Sequence, residues 1–83
     1  MTAAIRKSFT LDKKINELIL IGIFTASRSL KGIHTHVERA IEAGANKDEI
    51  VSAIYLALPV CGIASVNMAL TEALQAIGKV GVK

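Results

Sequence analysis

Two histidines and one glutamate are the residues of this chain best suited to acid–base chemistry. His34 and His36 are separated by a single threonine, and Glu17 directly precedes the apolar run Leu18–Phe24. A carboxylate beside an imidazole can hold the ring in one tautomer, which leaves the other ring nitrogen free to exchange a proton with a substrate. Whether these side chains can act together depends on the helices that carry them.

Helical periodicity places Glu17 and His36 on two neighbouring helices. The first is predicted over about residues 10–26 and the second from residue 29 or 30 to residue 43. We expect the two helices to fold back on each other at a bend near Arg28, as an antiparallel hairpin. Glu17 and His36 are then about three residues out of register, or ~5 Å along the axis, and long side chains can close that gap.

Several interpretations of Glu17 stay open at this point. With His36 it can form a general acid/base unit, or a buried ion pair without chemistry. Arg39 lies level with Glu17 in the hairpin and is an alternative partner, which would leave His36 as a core histidine bonded to backbone. His34 is expected near Glu38, facing water or a neighbouring subunit, because two residues along a helix are a rotation of about 200°.

The remaining sequence also predicts helices, and no segment alternates polar and apolar residues as a strand does. Thr10 is the expected N-cap of the first helix, and Gly44 the left-handed residue that ends the second. Residues 46–49 resemble a capping box and open a third helix, which Pro59 should end or kink. A fourth helix is expected over about residues 64–77.

The apolar content predicts an assembly. Hydrophobic residues make up 52% of the 83 residues, more than one small core can hide, and the run Leu18–Phe24 should be buried on every side. We therefore predict an all-α, antiparallel helical bundle that forms a homo-oligomer. Its expected organisation is an arm over residues 1–9, a helical domain over residues 10–78 and a basic tail over residues 79–83.

Charge and cysteine content argue against several classes of function. The net charge is +3, but the basic residues are scattered and only 4% of the chain is aromatic, which does not fit a nucleic-acid binder. No His, Asp or Glu cluster has metal-ligand spacing, so we expect no metal. The single cysteine, Cys61, cannot form an intrachain disulfide or a Cys-x-x-Cys pair.

The length of the apolar run and the residues at the N-terminus predict a cytoplasmic protein without a membrane partner. The apolar run Leu18–Ala26 is less than half of the roughly 20 residues that a spanning helix needs. The first residues lack the apolar run of a signal peptide.

The chain also carries five short motifs in a fixed order. The most specific is Ala43-Gly44-Ala45-x-Lys47-x-Glu49-Ile50, and the others lie at residues 11–18, 36–40, 53–57 and 62–63. In this order and spacing they resemble the carboxymuconolactone decarboxylase / alkylhydroperoxidase D-like family. The resemblance implies the all-α fold of the alkylhydroperoxidase D-like type and assembly as a trimer or hexamer.

In the alkylhydroperoxidase D-like branch, a catalytic Glu is followed twelve residues later by Cys-x-x-Cys, and a His lies four residues past the second Cys. Counting from Glu17 puts the cysteines at Ser29 and Gly32 and the histidine at His36. The resemblance thus implies that the Glu and His are retained while both redox cysteines are missing. Peroxide reduction needs a reactive thiolate and a resolving thiol, so antioxidant activity is disfavoured, and Cys61 is expected to be a small buried hydrophobe.

The decarboxylase branch also lacks the cysteine pair, and its members act without a cofactor on a lactone acid by proton transfer. By resemblance, Glu17 and His36 are candidate catalytic residues, and Arg39 is a candidate clamp for a substrate carboxylate. We expect a cofactor-free acid/base enzyme, a lyase of this type, that acts on a small organic acid. The alternative is a non-catalytic oligomeric domain that retains the pair for structure, since family membership does not fix a reaction.

Overall fold

The computed structural model describes residues 10–80, which form four α-helices and contain no strand. The helices are α1 (Lys13–Ala26), α2 (Leu30–Glu42), α3 (Lys47–Tyr55) and α4 (Leu58–Val80). The all-α class is therefore confirmed. The predicted arm, residues 1–9, lies outside the described residues, as do residues 81–83 of the predicted tail, whereas Lys79 and Val80 are the last residues of α4.

Capping interactions fix where the first two helices begin. Asp12, not Thr10, is the N-cap of α1, and its carboxylate accepts a hydrogen bond from the backbone N–H of Ile15 at 2.8 Å. A carboxylate suits this position because it also places negative charge at the positive end of the helix. Ser29 caps α2, since its Oγ accepts from the backbone N–H of Gly32 at 3.2 Å, and the helix begins where the sequence indicates.

The connection between α2 and α3 has the predicted chemistry. Gly44 adopts a φ of 100°, which glycine tolerates and other residues rarely adopt, and it follows the end of α2. Asn46 and Glu49 form a reciprocal capping box, with nitrogen–oxygen distances of 2.8 and 3.0 Å. These contacts start α3 at the position that the sequence indicates.

The core lies where the four helices meet. The largest fully buried side chains of the core are aliphatic: Ile21, Ile33, Val37, Ile50, Ile54 and Val66. The buried side of α4 continues with small residues, Ala69, Ala73 and Ala76. Alanines at this helical spacing let the other helices approach α4 closely.

The α1–α2 hairpin sets the register of the candidate site. At its bend, Arg28 has a φ of 59°, a left-handed conformation that is uncommon for a residue other than glycine. The Arg28 guanidinium donates a hydrogen bond to the Ser65 hydroxyl of α4 at 3.0 Å, which ties the bend to the rest of the bundle. Close to the bend, Phe24 of α1 lies against Gly32 of α2.

The break that was predicted at Pro59 lies at Gly62, inside the range of α4. Helix α3 already ends at Tyr55, and Pro59 lies in the first turn of α4, where its missing N–H leaves no helical hydrogen bond unmade. The non-helical residue is Gly62, with a φ of 81° and a ψ of 170°. The predicted start of the fourth helix at about residue 64 lies just past this break, whereas its predicted end at residue 77 falls short of Val80.

Within residues 10–80 of a single copy, one side of α1 is exposed, so this copy alone does not enclose Leu18–Phe24 on every side. Ile19 and Ile23 are 47% and 55% exposed, and the neighbouring Leu56 and Val60 are each 79% exposed. The all-apolar run indicates burial, but one copy of residues 10–80 does not supply a cover for this side.

By length and composition alone, α4 also passes the test for a membrane-spanning helix. The prediction of no membrane partner rested on Leu18–Ala26 and so missed this segment. Within the described fold, however, Val66, Ala69 and Ala73 of α4 are fully buried against other helices. The apolar side chains of α4 thus partly belong to the core. A core helix can have the same length and apolar composition as a membrane-spanning helix.

Candidate functional site

Glu17 and His36 form a hydrogen-bonded pair between α1 and α2. The Oε1 atom of Glu17 lies 2.6 Å from Nδ1 of His36, and the side chains are 11% and 14% exposed, respectively. A carboxylate withdrawn from water needs a donor, and the imidazole supplies one. Because a carboxylate oxygen accepts the bond, Nδ1 carries the hydrogen in this arrangement.

The second nitrogen of His36, Nε2, has no hydrogen-bond partner among residues 10–80. In the same part of the chain, no buried side-chain nitrogen or oxygen lacks a partner. The His36 side chain as a whole is not fully enclosed, since 14% of it is exposed. An imidazole held through Nδ1 with an open Nε2 has the geometry of a general base that an acidic partner orients.

Phe24 also contacts His36. Its ring stacks on the His36 imidazole, with ring centroids 5.1 Å apart and planes inclined by 18°. The separation is typical of offset-stacked aromatic rings. Sequence reasoning missed Phe24, although the hairpin register contained a signal, since residue 24 lies level with the glycine at position 32.

Arg39 is not the partner of Glu17. Its side chain is exposed on α2, and no ion pair joins it to an acidic residue within residues 10–80. Arg39 follows His36 by three residues, so it lies about one turn further along the same helix. Of the three proposed site residues, the structure brings Glu17 and His36 into contact, and the roles assigned to all three stay predictions.

His34 contacts acidic residues of two helices. Its Nδ1 atom lies 3.0 Å from Oε2 of Glu72 in α4, while its Nε2 lies 3.7 Å from Oε2 of Glu38. The proximity to Glu38 agrees with the helical spacing, but the contact with Glu72 was not visible from local sequence. His34 therefore joins α2 to α4 and does not belong to the Glu17–His36 pair.

The two positions that the sequence resemblance assigns to redox cysteines make other contacts in this structure. Ser29 caps α2 through its hydroxyl, and Gly32 faces the Phe24 ring. Cys61 is half-buried, and its thiol donates to the carbonyl of Ala57 at 3.2 Å. Within residues 10–80, no three His, Cys, Asp or Glu side chains converge as a metal site would require.

A large apolar groove lies on another side of α1. Its volume is about 990 Å³, and residues of α1, α3 and the start of α4 line it, among them Ile19, Ile23, Leu56 and Val60. None of the three proposed site residues lines the groove. The groove and the Glu17–His36 pair are therefore two separate features of the described chain.

Lys14 and Glu49 join α1 to α3 at the rim of the groove. The Lys14 ammonium lies 2.9 Å from the Glu49 carboxylate. The pKa of Glu49 is lowered, first by the capping hydrogen bond from the Asn46 backbone and then by Lys14. The pKa of Lys14 is raised, mainly by its hydrogen bond to Glu49.

Comparison with known proteins gives one finding. A family model described as "Carboxymuconolactone decarboxylase family" matches residues 1–76 of the chain. No curated protein and no solved structure matches it significantly.

The Glu17–His36 contact should be measurable as a coupling energy. In a double-mutant cycle with Glu17→Gln and His36→Gln, we expect the two changes in unfolding free energy to be non-additive by about 1–3 kcal/mol. Urea denaturation of the four proteins measures this energy. The control is Glu42→Gln, because Glu42 is exposed on α2 and should change stability by less than about 0.5 kcal/mol. Additivity of the two substitutions would show that the pair does not interact.

Glu49 should make the fold sensitive to acid. Its carboxylate has a lowered pKa, so its contribution is present above the unfolded-state pKa and is lost as the pH falls through the folded-state pKa. Glu49→Gln can still serve the capping box but has no charge to lose. We therefore expect the variant to lose less stability than the wild type between neutral and acidic pH. Denaturant unfolding across that range measures the difference, and parallel curves for the two proteins would contradict the assignment.

Proposed function

Because the chain belongs to the carboxymuconolactone decarboxylase family, we propose that it is a cofactor-free acid/base enzyme that acts on a small organic acid. One observation carries the proposal: Glu17 holds His36 through Nδ1 at 2.6 Å and leaves Nε2 without a partner within residues 10–80. This is the arrangement that a proton-transferring histidine needs. Family membership alone would not support a reaction.

In this proposal each residue has a defined part. His36 Nε2 removes a proton from a substrate carbon next to a carboxyl or lactone carbonyl, and later returns a proton to product. Glu17 stabilises the imidazolium that forms between these two steps and keeps its ring in one orientation. Arg39 binds the substrate carboxylate, a task that its exposed guanidinium suits by charge and geometry.

We propose further that a second copy of the chain covers the apolar groove. The exposed Ile19 and Ile23 lie one helical turn apart on α1, beside Leu56 and Val60. An apolar surface of this kind is typical of an interface between subunits. The trimeric or hexameric assembly implied by the sequence resemblance would bury it.

A non-catalytic oligomeric domain is the second candidate. The observation that favours it is the separation of the large groove from the pair, since neither Glu17 nor His36 lines that groove. In this case the pair serves only to satisfy a carboxylate inside the hairpin. Antioxidant activity is a weaker candidate, because Ser29 is engaged as a helix cap and Gly32 has no side chain.

A panel of small organic acids tests the enzyme proposal. The protein is incubated in deuterated water with lactone acids and keto acids, and NMR follows carbon-bound proton exchange and turnover. We expect at least one compound to react, and His36→Gln to lower the rate by about 100-fold or more, as for loss of a general base. Glu17→Gln should lower kcat, and Arg39→Gln should chiefly raise KM.

His34→Gln is the matched control, since His34 contacts Glu72 and not Glu17. It should retain the activity of the wild type. An unchanged rate in His36→Gln would contradict the proposed role of this residue. Absence of any exchange or turnover across the panel would favour the non-catalytic domain.

The assembly proposal is tested by sedimentation. The wild type should sediment as a trimer or hexamer, and Ile19→Lys with Ile23→Lys should dissociate it, because two charges in an apolar interface are not solvated. The control adds the same charge elsewhere, through Asn67→Lys with Gln75→Lys at exposed positions of α4. A monomeric wild type, or an unchanged assembly in the groove variant, would exclude the groove as the interface.

A further inference from the structure

The stack of Phe24 on His36 depends on the absence of a side chain at position 32. A Cβ atom built on Gly32 would lie 2.6 Å from two atoms of the Phe24 ring and 2.9 Å from a third. Such distances are far below van der Waals contact between carbon atoms. The phenyl ring therefore occupies the space into which any side chain at position 32 would project.

Phe24 thus contacts both Gly32 and His36 across the hairpin. The ring of Phe24 meets the bare Cα side of Gly32 and also lies nearly parallel to the imidazole, at an inclination of 18°. Gly32 and His36 are four residues apart on α2, so they lie on the same face of that helix. One aromatic ring can contact both residues for this reason.

From this geometry we propose that Phe24 is a positioning residue for His36, and that Gly32 is what allows it to take that position. The hydrogen bond from Nδ1 to Glu17 fixes one point of the imidazole, about which the ring can still tilt. The flat contact with Phe24 opposes that tilt and so determines where Nε2 points. This inference rests on the proposed acid–base function for its catalytic consequence, but the positioning itself is independent of any reaction.

The closest test compares Gly32→Ala, Phe24→Leu and the double variant. NMR of the histidine side chains is the first readout, because a stacked phenyl ring shifts the His36 ring protons upfield, while the signals of His34 serve as an internal reference. Gly32→Ala should displace Phe24 and abolish the upfield shift, and Phe24→Leu should do the same. In the Phe24→Leu background, Gly32→Ala should add no further change, since the ring with which its Cβ collides is gone.

Gly78→Ala is the matched control for adding a methyl group, because a Cβ at that glycine meets nothing within 4 Å. It should leave the His36 signals unchanged. Thermal unfolding of each variant shows whether the fold is retained. If Gly32→Ala is unfolded, the Phe24→Leu comparison alone decides the proposal.

A second readout separates positioning from a purely structural role. On a substrate identified by the exchange screen, Phe24→Leu should lower kcat by about tenfold to a hundredfold with little change in KM, since a misdirected base affects the reaction more than binding. Wild-type shifts for His36 in a folded Phe24→Leu or Gly32→Ala protein would overturn the positioning proposal. If the wild type turns over no substrate while the spectra change as expected, the enzyme proposal fails and the positioning stands.

Discussion

The carboxylate of Glu17 is nearly buried between α1 and α2, and much of the local structure follows from the need to satisfy it. Removing an acidic group from water is costly unless a donor compensates, and His36 provides that donor at 2.6 Å. To bring the imidazole there, α1 and α2 must pack in one register, which the bend at Arg28 and the cap at Ser29 set. The hydrogen bond in turn commits one nitrogen of His36 and leaves the other available.

The chain belongs to the carboxymuconolactone decarboxylase family but has no Cys-x-x-Cys pair. The packing around position 32 is consistent with the absence of that pair. The position that the sequence resemblance assigns to the second redox cysteine is a glycine, Gly32, and the space beside it holds the Phe24 ring. A thiol at position 32 would need this ring to move. The neighbouring packing thus uses the room that a side chain at position 32 would need.

Much of the fold was predictable because its signals are local. The caps at Ser29, Gly44 and Asn46 each depend on residues within one helical turn, and each lies where the sequence indicates. The contact between Glu17 and His36 could also be predicted, because a short hairpin determines which residues of its two helices lie level. In α4 the break lies at Gly62 and not at Pro59, because proline is tolerated in a first turn.

What sequence could not provide were contacts between residues far apart in the chain. His34 bonds to Glu72 across 38 residues, and no local pattern specifies that pair. Apolar periodicity likewise shows that Ile19 and Ile23 favour burial, but not whether the cover comes from the same chain. Phe24 was overlooked because an aromatic residue in an apolar run is normally assigned to the core.

The proposed role of His36 depends on which of its nitrogens carries the proton, and nitrogen NMR of histidine-labelled protein near neutral pH measures this directly. If Glu17 holds the ring as described, neutral His36 should be protonated at Nδ1, with a bare Nε2, and Glu17→Gln should weaken that preference. A His36 ring protonated at Nε2 in the wild type would contradict this role, because the nitrogen assigned to proton transfer would then be unable to accept a proton.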